Sequence, residues 1–289
     1  MKVPFLLTKL VCAVLLMLAL RPEFSFGSHD NLKSYLEVFN SYNDSTTLNN
    51  FLCTQGFDQD CDVKPVQDTN LNISGDPLLL VTHATKVWDR EERAKEGIRK
   101  VTKLVMKSQN GKAVYLHANI PEKYYYHECN PDLIIDSPVG DYNLSIEATH
   151  VISVGGNFEA CQATSISRTI LKWKEDKFKN KNLKISIVTD ASYGFGTFLN
   201  SDADYYSEIK KLYNKLGTRK ISLQDMLTPM SQIQKEEFLK VNVQAFFGTV
   251  LPTDRAVFYK IGGKKIPLNS SNGPPLEIDF IESKDLKLI

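Results

Sequence analysis

"VGGNFEACQATSI", residues 154–166, is the stretch on which the fold turns. It follows the apolar run "THVISV" (149–154) and leads into Ala163, Ile166, Ile170 and Trp173, which share one face at helical spacing. Strand, glycine turn and helix in that order form one half of a right-handed crossover, so this strand is expected to have parallel neighbours. Gly155 and Gly156 let the backbone turn sharply and come close to another group. Cys161 then falls in the first turn of the helix.

Working outward, "PLLLVTHA" (77–84) is continuously apolar, as a strand covered on both faces should be. "KAVYLHA" (112–118), "DLIIDSP" (132–138) and "LKISIVTDASYG" (183–194) read as further strands. Between the first two, Ala94, Ile98, Val101 and Val105 mark a helix with acidic residues in its first turns and Asn110-Gly111 as its stop. Tyr205, Ile209, Leu212 and Leu216 mark another, and "RKISLQDML" (219–227) reads as a short last strand running into a helix. Strands alternating with helices predict a three-layer α/β domain whose mostly parallel sheet has helices on both faces.

The flanks differ in character. Residues 1–27 hold Lys2, Lys9, an apolar run from Leu10 to Leu20 and a small-x-small site at Ser25-Phe26-Gly27, the layout of a secretory leader cut near Gly27-Ser28. That run is shorter than the roughly 20 residues a spanning helix needs, so no stable membrane span is expected. Residues 28–75 form a polar N-terminal extension, 76–228 the α/β domain, and 229–289 a C-terminal extension in which Gly262-Gly263 sets a β-hairpin. Removing the leader takes +2 from a formal net charge of +1 and leaves about −1, with no basic footprint for nucleic acid. Secretion or a periplasmic location favours pairing of the nearby Cys53 and Cys61, worth roughly 2–3 kcal/mol.

Open parallel sheets bind ligands beyond the carboxyl ends of their strands. Residues at those ends are His83, His117, Asp136, the turn from Gly155 to Cys161, and Asp190. Gly155, Gly156, His117 and Asp190 are the candidates for contact with a small-molecule ligand, while Asp136 and Asp190 also suit turn capping. Cys161 reads either as a nucleophile activated by the helix start or as a structural residue, buried or bridged to Cys129. "EKYYYHEC" (122–129) sets three tyrosines beside His127 in a loop that would either wall a pocket or lie on the surface. No ligand spacing for a metal and no cofactor motif stands out.

"THVISVGGNFEACQATSIS" resembles the nucleophile segment of the isochorismatase-like cysteine hydrolases, in which a strand ends in Gly, five residues intervene and Cys opens a helix. The later order also fits, with "ISIVTDAS" at the place of the family's strand ending in Asp-Ala. The resemblance spans about 76–228 and implies an isochorismatase-like fold, domains that associate as homo-oligomers, and hydrolysis of a small amide or ester through Cys161. His83 stands where the family carries its Asp, and 132–150 contains no counterpart of its Lys. Two readings follow: Cys161 activated by His83 with Asp136 orienting the ring, or a catalytically inactive scaffold that binds or supports. Export predicts a mature chain beginning near Ser28, which intact-mass measurement of the purified protein would show; a retained Met1 would refute it.

Overall fold

The computed structural model describes residues 72–86, 89, 92–118, 125–126, 131–137, 139–175, 181–194, 204–216 and 221–288. The leader, most of the N-terminal extension and the Cys53–Cys61 pair therefore lie outside the described residues. Strand β1 (Asn72–Ser74) precedes β2 (Leu78–Thr82), helix α1 (Lys95–Met106), β3 (Lys112–His117), β4 (Leu133–Asp136), β5 (Ser145–Glu147) and β6 (His150–Gly156). A π-helical turn (Phe158–Gln162) opens α2 (Ala163–Glu175), followed by β7 (Leu183–Gly194), α3 (Asp204–Leu216), β8 (Ile221–Ser222) and α4 (Leu223–Leu227). Helix α5 (Gln232–Phe247), β9 (Val257–Ile261), β10 (Lys264–Pro267) and β11 (Leu276–Ile281) complete the described chain.

The main sheet runs β4-β3-β2-β6-β7-β11-β9-β10. From β4 to β9 every pairing is parallel, and β2 meets β6 with Leu78 opposite Val151 and Thr82 opposite Gly155. Its centre is doubly wound, with the strand order reversing between β2 and β6, as a three-layer α/β domain requires. Successive residues of a strand face opposite ways, and both faces are covered. Leu78 and Leu80 join a core with Ile166, Ile170 and Trp173 of α2 and Phe238 and Leu239 of α5. Leu79 and Val81 join a second core with Ile98, Val101 and Val105 of α1.

Two expectations change. The short strand at 219–227 is only two residues long and runs antiparallel to β7, because Ser222 already caps α4 through a capping box with Asp225. The place beside β7 goes instead to β11, so the C-terminal segment is part of the main sheet, and its β9–β10 hairpin turns at Gly262-Gly263 as expected. Edge strand β10 carries Lys264, Lys265 and Pro267, residues that discourage further strand addition.

One backbone approach and one register shift shape the centre. Gly155 has φ +98°, and a Cβ there would lie 2.0 Å from the Thr82 carbonyl oxygen. Across the β6–β7 pair, Ser153 faces Ile187 and Gly155 faces Ser192, so residues 188–191 bulge out of register. Replacing Gly155 with Ala should cost about 2–4 kcal/mol, since it adds strain at positive φ and a clash with backbone that cannot swing away. Urea unfolding would measure it, and an unchanged midpoint would show that β6 relaxes away from β2.

Candidate functional site

Each residue expected at the site lies at the carboxyl end of the sheet, where packing and hydrogen bonds within the chain occupy most of them. His83 follows β2 with φ +46° and is fully buried. Its amide donates to the Leu116 carbonyl at 2.9 Å, and its carbonyl accepts the Tyr193 hydroxyl at 2.6 Å. Its Nε2 lies 2.6 Å from the Ser137 carbonyl, which only accepts, so Nε2 carries the proton in the neutral ring. Burial lowers the imidazole to about 4, against the opposing pull of that hydrogen bond. His83 thus ties together the ends of β2, β3 and β7 and the turn after β4.

Asp136 does not orient this ring. It ends β4 on the exposed side, opposite His117 in the β3–β4 register, while the Ser137 carbonyl fixes His83. The same carbonyl accepts the Gly140 amide at 3.2 Å, and the Ser137 hydroxyl donates to the Asp141 carbonyl. Gly140, at φ +77°, lies so near Cys161 that a Cβ would stand 2.1 Å from the cysteine carbonyl oxygen. Arg168 of α2 clamps the same turn by donating to both carboxylate oxygens of Asp141, at 2.6 and 2.9 Å.

Cys161 is a free cysteine, and Cys129 lies outside the described residues. It sits inside the π-helical turn, where the Gln162 amide reaches five residues back to the Asn157 carbonyl at 3.1 Å. The lowered thiol pKa expected for a helix start is not found. The residue keeps some exposed surface, yet burial pushes the thiol up to about 12, and a single backbone hydrogen bond offsets only part of this. No hydrogen bond joins the thiol to His83 among the described residues. Gln162 beside it is fully buried and donates to Ser153 at 3.2 Å and Ser192 at 2.8 Å, tying the turn to β6 and β7.

The glycines act within the chain. Gly155 admits the Thr82 carbonyl, and a Cβ on Gly156 would meet the Tyr193 ring at 2.6 Å, so neither opens toward a ligand. The peptide bond after Gly156 is cis. Asp190 is a cap: within the β7 bulge it accepts the Ser283 amide at 2.7 Å and the Ser283 hydroxyl at 2.5 Å, fastening the C-terminal segment. His83, His117 and Asp136 do not gather around a point, and the described residues hold no group of three His, Cys, Asp or Glu suited to a metal. Nor is any described helix long and apolar enough to cross a membrane.

The tyrosines form the part of the site that strand-end reading missed. Tyr125 and Tyr126 are buried, although a surface loop was an open alternative for them. Tyr125 stacks on His117 with centroids 3.7 Å apart and donates to the Ala118 carbonyl at 2.9 Å. Tyr126 donates to the carbonyl of Asp89, whose own carboxylate caps α1 by accepting the amides of Arg93 and Ala94. Burial raises Tyr125 and Tyr193 above their usual range, and the nearby Cys161 adds to both shifts. The run of three tyrosines was the one sequence signal available for this arrangement.

No protein-family model and no curated protein matches the chain. Among solved structures it is similar to an isochorismatase-like hydrolase from Alkaliphilus metalliredigens at 10% identity, over 40% of this chain and 74% of that one, with a TM-score of 0.26. It is also similar to the structure described as "putative Mar1 ribonuclease from Leishmania major" at 8% identity, over 75% of this chain and 84% of that one, with a TM-score of 0.31. The chain's own architecture is a doubly wound α/β sheet in which strand, Gly-Gly turn, cysteine and helix are followed by the strand carrying Asp190-Ala191.

Burial of neutral imidazoles makes the fold acid-sensitive. His83, and His150 beside Ser186, both fall from 6.5 to about 4. Between pH 6.5 and 4 the unfolded chain takes up protons that the folded chain refuses, so stability falls as pH falls through that window. The share of His83 is on the order of 3 kcal/mol. Urea midpoints from pH 7 to 4.5 should drop steeply in the wild type and less steeply in His83→Gln; parallel slopes would show that His83 is not buried neutral.

Proposed function

We propose that this chain is an exported isochorismatase-like protein that binds a small molecule and has given up thiolate hydrolysis. The observation that carries this reading is that His83, the candidate base, spends its Nε2 on the Ser137 carbonyl at 2.6 Å. Burial pushes the Cys161 thiol up to about 12, away from the thiolate that is the nucleophile. What surrounds it supports the same reading. His83 stands where the family carries its Asp, no Lys follows β4 before β6, and His83 is engaged with Ser137 instead of serving as a base for the thiol. The leader-like N-terminus supports export.

A second reading, cysteine-dependent hydrolysis of a small amide or ester, keeps one observation in its favour. Cys161 is free and lies in the turn at the carboxyl edge of the sheet, where such folds place ligands. Alkylation separates the two. Iodoacetamide at pH 7.5, followed by peptide mapping, should label Cys161 of the native protein at least about a hundredfold more slowly than a free cysteine. Labelling faster than the free thiol, together with an ester- or amide-hydrolysing activity lost in Cys161→Ser, would overturn the binding reading.

A further inference from the structure

Helix α1 presents a cationic stripe to solvent. Gly97, Ile98, Val101, Thr102 and Val105 are its buried residues, and the helix packs on β2, β3 and β7. The opposite side exposes Lys100, Lys103 and Lys107 on successive turns, with Arg99 half-buried beside them and Glu96 the one acid of the helix. Lys100 and Lys107 meet no partner among the described residues, whereas Lys95 is paired with Glu92. Like charges three and four residues apart repel along a helix. The helix dipole accounts for Lys103 and Lys107 near the carboxyl terminus, but not for Lys100 and Arg99 in mid-helix. Lys100 and Lys107 stand about 10 Å apart along the axis, comparable with the screening length at physiological salt, so the stripe acts as one field. Leu104 is exposed in the midst of these lysines, and it is one of three large apolar side chains exposed among the described residues. The whole chain has a formal net charge of only +1, so the excess is local.

We infer that the outer face of α1 is a docking surface for an anionic lipid bilayer, with the lysines at the headgroups and Leu104 entering the interface. Charge complementarity supplies the attraction, and lysine stems lie along apolar surface while their heads stay at the phosphates. The leucine among the cations selects a bilayer over a nucleic acid, because a duplex offers this face phosphates and no apolar phase. The main apolar stripe of α1 stays on the sheet, so the contact is reversible and salt-sensitive. This surface lies apart from the carboxyl end of the sheet and goes beyond the small-molecule reading, and its test does not depend on Cys161.

The test is cosedimentation of the full mature chain with phosphatidylcholine vesicles, with and without about one-third phosphatidylserine. The protein should bind the anionic vesicles and not the neutral ones, and about 0.5 M salt should release it. The double change Lys100→Gln, Lys107→Gln should lower the partition onto anionic vesicles at least about tenfold. The double change Lys235→Gln, Lys240→Gln on α5 removes the same charge elsewhere and should leave the partition unchanged. Leu104→Ala should lower it at least about threefold. Equal partition of the two double variants, or no binding to anionic vesicles, overturns the inference. So does a Leu104→Ala that partitions as the wild type while duplex DNA is bound as tightly as the vesicles, the behaviour of an indiscriminate polyanion site. Should the α1 double variant lose its fold by circular dichroism, Lys100→Gln alone should lower the partition at least about threefold, and an unchanged value overturns the inference.

Discussion

The rest of the structure depends on the contact between Gly155 and the Thr82 carbonyl. With no room there for even a methyl group, β6 lies against β2 at the end of the sheet. The chain then enters the π-helical turn that contains Cys161 and opens α2. On its other side β6 admits the Tyr193 ring over Gly156, and Tyr193 in turn holds the carbonyl of His83. A side chain at Gly155 would disturb the central strand pair and each of these contacts with it.

Around that contact the protein has assembled polar groups in their uncharged forms. The Cys161 thiol, the His83 ring and the hydroxyls of Tyr125 and Tyr193 are all held neutral by the same cause, removal from water. The hydrogen bonds of the His83 ring and the two tyrosine hydroxyls run to backbone carbonyls, which ask for a donor and supply no charge. Such a cluster fixes loops firmly and gives little help to an ionised nucleophile. The carboxylates of the region behave consistently with this: Asp136 is exposed, while Asp89 and Asp190 spend their oxygens on amides and a hydroxyl.

The architecture ties function to packing more closely than the motif suggests. The turn after β4 touches His83 through Ser137, Cys161 through Gly140 and α2 through Asp141. The C-terminal segment is equally involved, since β11 supplies a central-layer strand and Ser283 closes the β7 bulge on Asp190. Leu286 adds its side chain to the core beneath α1.

Apolar periodicity and the Gly-Gly turn by themselves determined the local elements: β2, β3, β6 and β7, helices α1 and α2, and the β9–β10 hairpin. They did so because burial on two faces or on one stripe imposes a spacing that neighbours in sequence must obey. The parallel β2–β6 pairing followed from the crossover rule. Tertiary structure alone decided that β11 takes the place beside β7, that Asp190 meets Ser283, and that Tyr125 stacks on His117. Each of those joins residues distant along the chain, where no local spacing constrains the partner. It also decided the chemistry of Cys161, for a thiol's ionisation depends on the water and charge around it, and those are set by what folds against the turn and not by the residues that spell it.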